Sequence, residues 1–81
     1  MWNEGTIGVP TGDGKYLAIH YWVKHFEEPS EEYGIEGGRI SKLSLKQDGA
    51  WVANYDRDWD MEPATEAAKA ALAILMHEYT T

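Results

Sequence analysis

Apolar residues recur at every second position between Lys15 and Phe26, which is the period of a β-strand. One set of alternating positions holds Leu17, Ile19, Tyr21 and Val23, and the other holds Tyr16, Ala18, His20, Trp22 and Lys24. Because successive side chains of a strand point to opposite faces, the first set predicts a face turned toward a core. We then expect Tyr16, His20 and Trp22 in a row on the other face.

The chain before this segment predicts a second strand over about residues 2–9. The residues between the two strands are rich in glycine and include Pro10 and Asp13, which is typical of a hairpin connection. After the hairpin, residues 27–38 are acidic, contain a proline and end in paired glycines, without any apolar period. We expect a surface loop there.

Two further strands are predicted over about residues 39–46 and 50–57, and two registers can join them. A two-residue turn at Asp48-Gly49 divides the apolar residues between the faces. A three-residue loop, Gln47 to Gly49, pairs Lys46 with Ala50 instead. The residues Leu43, Leu45, Trp51, Ala53 and Tyr55 then share one face. We expect the second register, because a slip by one residue turns every side chain to the other face.

The last segment, about residues 63–79, predicts a helix that begins with Pro63 and is capped by Glu62. The positions expected to face the sheet are Ala64, Ala68, Ala71, Leu72, Leu75 and Tyr79. The predicted fold is therefore α+β and forms a single domain over residues 1–81. It consists of a four-stranded, mainly antiparallel sheet with one C-terminal helix packed on one face.

Composition and charge restrict the classes of function that we expect. The 81-residue chain has no cysteine, which suits a reducing cytoplasm, and the sequence shows neither a secretion signal nor an apolar stretch of membrane-spanning length. Its formal net charge of −7 would repel a phosphate backbone, so we expect no direct nucleic-acid binding and no membrane partner. Four tryptophans and five tyrosines exceed what one small core encloses, so some rings are expected at the surface.

The stretch from Asn54 to Pro63 is acidic. If the strand continued past Tyr55, the carboxylates of Asp56, Asp58, Asp60 and Glu62 would form a row with a spacing of roughly 6–7 Å, and Trp59 would point to the other side. Such a row resembles the spaced phosphates of a nucleic acid. Acidic residues next to a helix N-terminus also complement the helix dipole, which is the structural alternative. A calcium loop does not fit, because Met61 stands where that loop needs glycine.

Signals of catalysis are missing from the sequence. We find no nucleophile beside a base in a known arrangement, no glycine-rich phosphate loop, and no ligand spacing among His20, His25 and His77. We therefore expect no catalytic residue, no metal and no cofactor.

The C-terminal half carries the motifs "GGRISKL", "DG", "VANYDR.WD" and "P.TEAAK.AL". In these it resembles a class of small uncharacterised proteins from low-GC Gram-positive bacteria and their phages. The resemblance brings no chemistry to particular residues. It implies an origin in which small acidic proteins are often inhibitors of a host protein, including CRISPR and restriction nucleases.

The main hypothesis is a non-enzymatic module that binds a protein partner. The residues expected to contact it are Tyr16, His20, Trp22, Asp56, Asp58, Trp59 and Asp60. In its narrowest form the partner is a defence nuclease and the carboxylates imitate nucleic acid. The alternatives are a small regulatory or structural homodimeric domain with no foreign target, and a metal-assisted enzyme that uses the aspartates. For the row of Tyr16, His20 and Trp22, the alternative to a contact surface is a core that the acidic loop completes through Tyr33 and Ile35.

Overall fold

A computed structural model describes residues 2–32 and 34–79 of the chain. The strands are β1 (Trp2–Pro10), β2 (Tyr16–His25), β3 (Ile40–Gln47), β4 (Ala50–Asp56) and β5 (Trp59–Met61), and the helix α1 spans Glu66–Glu78. The strands lie side by side in chain order, and every neighbouring pair is antiparallel. The α+β class and the C-terminal helix are confirmed. The predicted number of strands is wrong, because the sheet has five.

The fifth strand exists because the chain reverses direction after β4. Arg57 adopts a left-handed conformation with a φ of 64°, and the backbone N–H of Asp56 donates a hydrogen bond of 2.9 Å to the carbonyl of Asp58. The chain then returns along β4, with Trp59 opposite Tyr55. The predicted strand over about residues 50–57 thus agrees closely with β4, but the chain does not stay extended through Glu62, as a row of carboxylates would require.

The connection between β3 and β4 differs from the predicted loop but yields almost the predicted core face. Asp48 and Gly49 both have positive φ and form a two-residue turn, with Gln47 opposite Ala50. Lys46 lies opposite Trp51, and a bulge then shifts the register so that Leu45 lies opposite Ala53. The residues Leu43, Leu45, Ala53 and Tyr55 are buried as predicted. Trp51 is on the other face.

The core lies between α1 and one face of the sheet, where the helix contacts β1, β2 and β3. The helix buries Ala67, Ala68, Ala71 and Leu75, and the sheet buries Ile19, Val23, Ile40, Leu43 and Leu45. Small alanine side chains let the helix approach the strands closely. Each fully buried branched aliphatic side chain contributes roughly 1.5–3 kcal/mol to folding, so this single interface supplies most of the stability.

The helix begins later than predicted because the residues before it stay bonded to the sheet. The N–H of Ala64 donates to the carbonyl of Val52 at 2.9 Å, which holds the chain beside β4. Thr65 is the N-cap, and its hydroxyl accepts a hydrogen bond from the N–H of Ala68 at 3.0 Å. The predicted cap at Glu62 and helix start at Pro63 are therefore wrong, and Ala64 is exposed.

The segment between β2 and β3 is more ordered than a plain surface loop. Its ends are joined where the N–H of Phe26 donates to the carbonyl of Arg39 at 2.7 Å, and a one-turn 3-10 helix spans Ile35–Gly37. Ile35 is only 2% exposed and meets the helix near Leu72, so this segment completes the core on the helix side. Tyr33 lies outside the described residues.

We predict that Gly34→Ala destabilises the protein. An added Cβ would overlap the carbonyl of Gly38 and come within 2.8 Å of the carbonyl of Ser30, and these are backbone atoms that cannot rotate away. Overpacking of this kind costs about 1–3 kcal/mol. Urea denaturation should show this loss for Gly34→Ala. The matched control is Gly8→Ala, where the new Cβ finds its nearest atom at an ordinary 3.5 Å, and an equal loss in both variants would contradict the prediction.

Candidate functional site

The sheet has a second side, which we call the helix-free face. It consists of the side chains that alternate with the core positions: Trp2, Glu4 and Thr6 of β1; Tyr16, Ala18, His20, Trp22 and Lys24 of β2; Lys42, Ser44 and Lys46 of β3; and Trp51, Asn54 and Asp56 of β4. Tyr16 is 70% exposed, Trp51 53% and Trp2 49%, so no described element covers these rings. The structure thus brings Tyr16, His20 and Trp22 to one exposed face, as predicted.

Three tryptophans, which we call the tryptophan cluster, are the central feature of this face: Trp2, Trp22 and Trp51. They line a shallow depression of about 370 Å³ together with Ser44. The rings of Trp22 and Trp51 are 5.3 Å apart between centroids and are tilted by 51°. Their contact is within the range in which aromatic pairs attract each other. The depression is therefore apolar and open to a partner.

Local backbone geometry explains why the rings meet. Ser44 lies opposite Trp22 on one side and opposite Asn54 on the other, and its small side chain leaves space above β3. Its hydroxyl donates to Asn54 Oδ1 at 3.1 Å, which fixes the floor of the depression. The two-residue turn places Trp51 opposite Lys46 on this side, diagonally across β3 from Trp22, and the bulge that follows returns Ala53 to the core face.

A cation already touches the tryptophan cluster. Lys46 Nζ lies 5.0 Å from the centroid of the Trp51 ring, which is a cation-π distance. Lys46 is opposite Trp51 in the register of β3 and β4, so the contact follows directly from strand pairing.

His20 is held in place beside Trp22. Its Nε2 lies 2.6 Å from Glu4 Oε2, its Nδ1 lies 3.3 Å from the Thr6 hydroxyl, and its ring centroid is 4.4 Å from that of Trp22. Because both ring nitrogens have a partner, the imidazole has one preferred orientation. This arrangement supports the edge of the tryptophan cluster.

The predicted row of carboxylates does not form, because the chain turns between β4 and β5. Asp56 lies 3.6 Å from Lys42 Nζ, and Asp58 accepts a hydrogen bond from the N–H of Trp59 at 2.8 Å. Asp60 accepts a hydrogen bond from the Asn54 side chain at 3.4 Å. The three aspartates thus belong to a strand end, a turn and a short strand, each with a local partner.

Trp59 contributes to the core rather than to the helix-free face. It is half-buried, packs against the core cluster and meets Tyr55 edge to face with ring centroids 4.9 Å apart. This position follows from the pairing of β5 with β4, in which Trp59 lies opposite Tyr55. Trp59 was predicted to contact a protein partner; that contact stays a prediction, and the ring is not part of the helix-free face.

Tyr55 has a perturbed acidity. Burial raises the pKa of its phenol, and the negative charge of Asp58 raises the pKa further. The folded state therefore holds the phenolic proton more tightly than the unfolded chain does.

We predict a loss of stability in alkaline solution that depends on Tyr55. Since its folded pKa is raised, its contribution is fully present below the unfolded pKa of about 10 and is lost as the pH rises through the folded pKa. When the pH is raised from 8 to 11, the denaturation midpoint should fall less for Tyr55→Phe than for the wild type. Tyr16→Phe, which changes an exposed tyrosine, should keep the wild-type fall. Equal falls in all three proteins would contradict the assignment.

Sequence reasoning missed several residues of this site. Trp2 lies opposite Lys24, and the register of the first hairpin would have placed it on the helix-free face. Trp51 was assigned to the wrong face because the two-residue turn at Asp48-Gly49 was not the expected one, and the bulge that returns Ala53 to the core face leaves no mark in the apolar pattern. Met61 was missed because β5 was not expected; it is 42% exposed and lies beside Trp51.

In residues 2–32 and 34–79, no group of three or more histidine, aspartate or glutamate side chains is arranged to hold a metal ion. Over the same residues, no helix combines the length and apolar character needed to cross a membrane.

Fold and site together define a small α+β domain: an antiparallel meander with a helix on one side and an aromatic surface on the other. The chain belongs to the DUF7678 family, a domain of unknown function whose family model matches residues 1–80. The match agrees with the expectation of a small uncharacterised domain, and it covers nearly the whole chain. Comparison with curated proteins and with solved structures gave no match.

We predict that alanine substitution destabilises the protein much more at Trp59 than at Trp51. Trp59→Ala removes a half-buried ring that packs on Tyr55 and should cost about 2–3 kcal/mol, somewhat less than for a fully buried ring. Trp51→Ala removes a ring that is 53% exposed and should cost less than about 1 kcal/mol. Chemical denaturation of both variants is the measurement. A larger loss for Trp51→Ala would mean that the helix-free face is part of the core.

Proposed function

We propose that this protein is a non-enzymatic binding module that docks another protein on its helix-free face. The observation that carries the proposal is the tryptophan cluster, in which the exposed Trp2 and Trp51 and the half-buried Trp22 line one apolar depression. Tryptophan and tyrosine dominate the residues that contribute most to protein interfaces. Exposed rings in one contiguous group are therefore a surface suited to a partner.

The cluster is also suited to binding because its rings are held before a partner arrives. Trp22 is supported by Trp51 on one side and by His20 on the other, and His20 is fixed by Glu4. Ordering a side chain on binding costs about 0.5–1.5 kcal/mol, and this cost is reduced where the side chain is already ordered. Large rings with few rotatable bonds lower it further.

Charge indicates what kind of protein would bind. On the helix-free face and in the depressions at its edges, Lys24, Lys42 and Lys46 stand against Glu4, Asp48, Asp56 and Asp60. This face is therefore nearly neutral, and most of the net charge of −7 lies on the rest of the chain. A partner with a basic surface around an apolar centre would be attracted at long range by this charge and would meet no repulsion on the face itself.

Inhibition of a host defence nuclease is the narrower form of the proposal. A basic nucleic-acid channel is one surface with the required charge, and the excess of fourteen acidic over seven basic residues supports it. The separated aspartates offer no phosphate-like row, so docking would rely on the aromatic face and on general negative charge. An electrostatic inhibitor should lose its nuclease as salt rises, because exposed charges are screened.

A homodimer is the second candidate, and the nearly neutral charge of the helix-free face favours it. Two copies with a charge of −7 repel each other, and they repel least where this face meets its own copy. Salt separates the two candidates. Rising salt should strengthen self-association and weaken the binding of a basic partner. Sedimentation at low and high salt measures the difference.

We predict that substitutions on the helix-free face abolish partner binding without loss of folding. Proteins captured from host cells by the wild type should be lost with Trp22→Ala and with Trp51→Ala, and retained with Ile74→Ala, which changes an exposed apolar residue on the helix. With the purified partner, the tryptophan variants should bind about 30-fold more weakly or worse, which corresponds to an interface hot spot. Circular dichroism would establish that each variant is folded.

The result that would contradict the proposal is a partner bound equally well by the wild type and by both tryptophan variants. Loss of binding with Ile74→Ala alone would indicate that the docking surface lies on the helix. Calorimetry with the purified partner distinguishes these outcomes.

A further inference from the structure

We propose that the tryptophan cluster receives an arginine side chain of the partner protein, with the guanidinium lying against the indole rings. This inference rests on the proposed function and names the chemistry of its central contact. The depression bounded by Trp2, Trp22, Trp51 and Ser44 has no charged side chain in its lining. Indole is the aromatic ring that attracts cations best, and guanidinium is planar and weakly hydrated.

The chain itself provides a first sign that these rings attract cations. Lys46 Nζ lies 5.0 Å from the centroid of Trp51, although Lys46 is a flexible side chain at the surface. The contact occupies one ring of the cluster, while Trp2 and Trp22 line the depression beside it. A guanidinium from a partner would make the same kind of contact with several rings at once.

Carboxylates are present on both sides of the cluster. Glu4 lies opposite Trp22 in the pairing of β1 with β2, and Asp60 lines the adjoining depression with Trp51 and Met61. A guanidinium stacked on an indole keeps its N–H groups free at the edge, where a carboxylate can accept them. This combination of flat apolar surface and nearby carboxylates matches arginine better than it matches an aliphatic side chain.

The lysines of the face do not oppose this assignment. Lys42 lies within ion-pair distance of Asp56, at 3.6 Å, and Lys46 lies on Trp51. With Lys24 included, the face has three cations against the four carboxylates of Glu4, Asp48, Asp56 and Asp60, and the whole chain carries −7. The long-range field therefore attracts a cation and repels the phosphates of a nucleic acid.

The test is a titration of the full chain. It is monitored through the indole N–H signals of the four tryptophans in NMR spectra. The probe is N-acetyl-arginine amide, and the matched control is N-acetyl-citrulline amide, which has nearly the same shape and no charge. Trp22 and Trp51 should shift saturably with the arginine probe, with a dissociation constant on the order of 10 mM, as befits a single side chain. Trp59, which lies against the core, is the internal reference and should not shift.

Two lysine variants sharpen the test, because each removes one positive charge from the same face. Lys46→Gln frees the Trp51 ring and should tighten arginine binding about threefold relative to Lys42→Gln, which leaves that ring covered. The equal change in net charge cancels in this comparison. Trp22→Ala and Trp51→Ala should each weaken binding at least threefold while the reference signal of Trp59 stays in place.

Several results would overturn the inference. Equal shifts with the citrulline probe would show that the cluster does not recognise positive charge. Larger shifts with an oligothymidine would identify a surface for nucleic-acid bases, and shifts that grow with protein concentration alone would identify a second copy as the occupant. If the arginine probe causes no saturable shift but Trp22→Ala still abolishes partner capture, the proposed docking surface is retained. Only the assignment of an arginine side chain as its ligand is then wrong.

Discussion

The structure depends on one hydrophobic interface, the packing of α1 against a single face of the sheet. A chain of this length can build only one core, and here the alanines of the helix meet the aliphatic residues of β1, β2 and β3. One helix covers one side. The opposite side is left to strands whose outward positions carry tryptophan, tyrosine and lysine, so the location of the core also decides where a partner could bind.

Small backbone irregularities decide the details of that second side. The two-residue turn before β4, with the bulge that follows it, leaves Trp51 outward and keeps the later core residues of β4 in place, and the reversal at Arg57 creates β5 and separates the aspartates. Both features change which face a side chain occupies without changing the fold. They leave a nearly neutral aromatic surface where the sequence predicted a row of charges.

Much of the fold could be predicted from the sequence, and less of the site. The strict alternation in β2 and the alanine-rich helix gave the right elements, because burial imposes a period on the residues. Tyr16, His20 and Trp22 were placed by the same rule. Trp51 was placed on the wrong face, because a two-residue turn followed by a bulge keeps Ala53 and Tyr55 in the core without keeping Trp51 there. The aspartates were misplaced because a left-handed arginine has no distinctive sequence signal.

The cap of α1 has a consequence for the aromatic side of the sheet. The Thr65 hydroxyl also donates to Gln47 Oε1 at 2.9 Å, and Gln47 immediately precedes the turn that leads into Trp51. The first turn of the helix and the hairpin that carries Trp51 are thus joined by one side-chain bridge. A single hydroxyl therefore both caps the helix and anchors the residue that begins the β3–β4 turn, so that removing it would loosen both sides of the sheet at once.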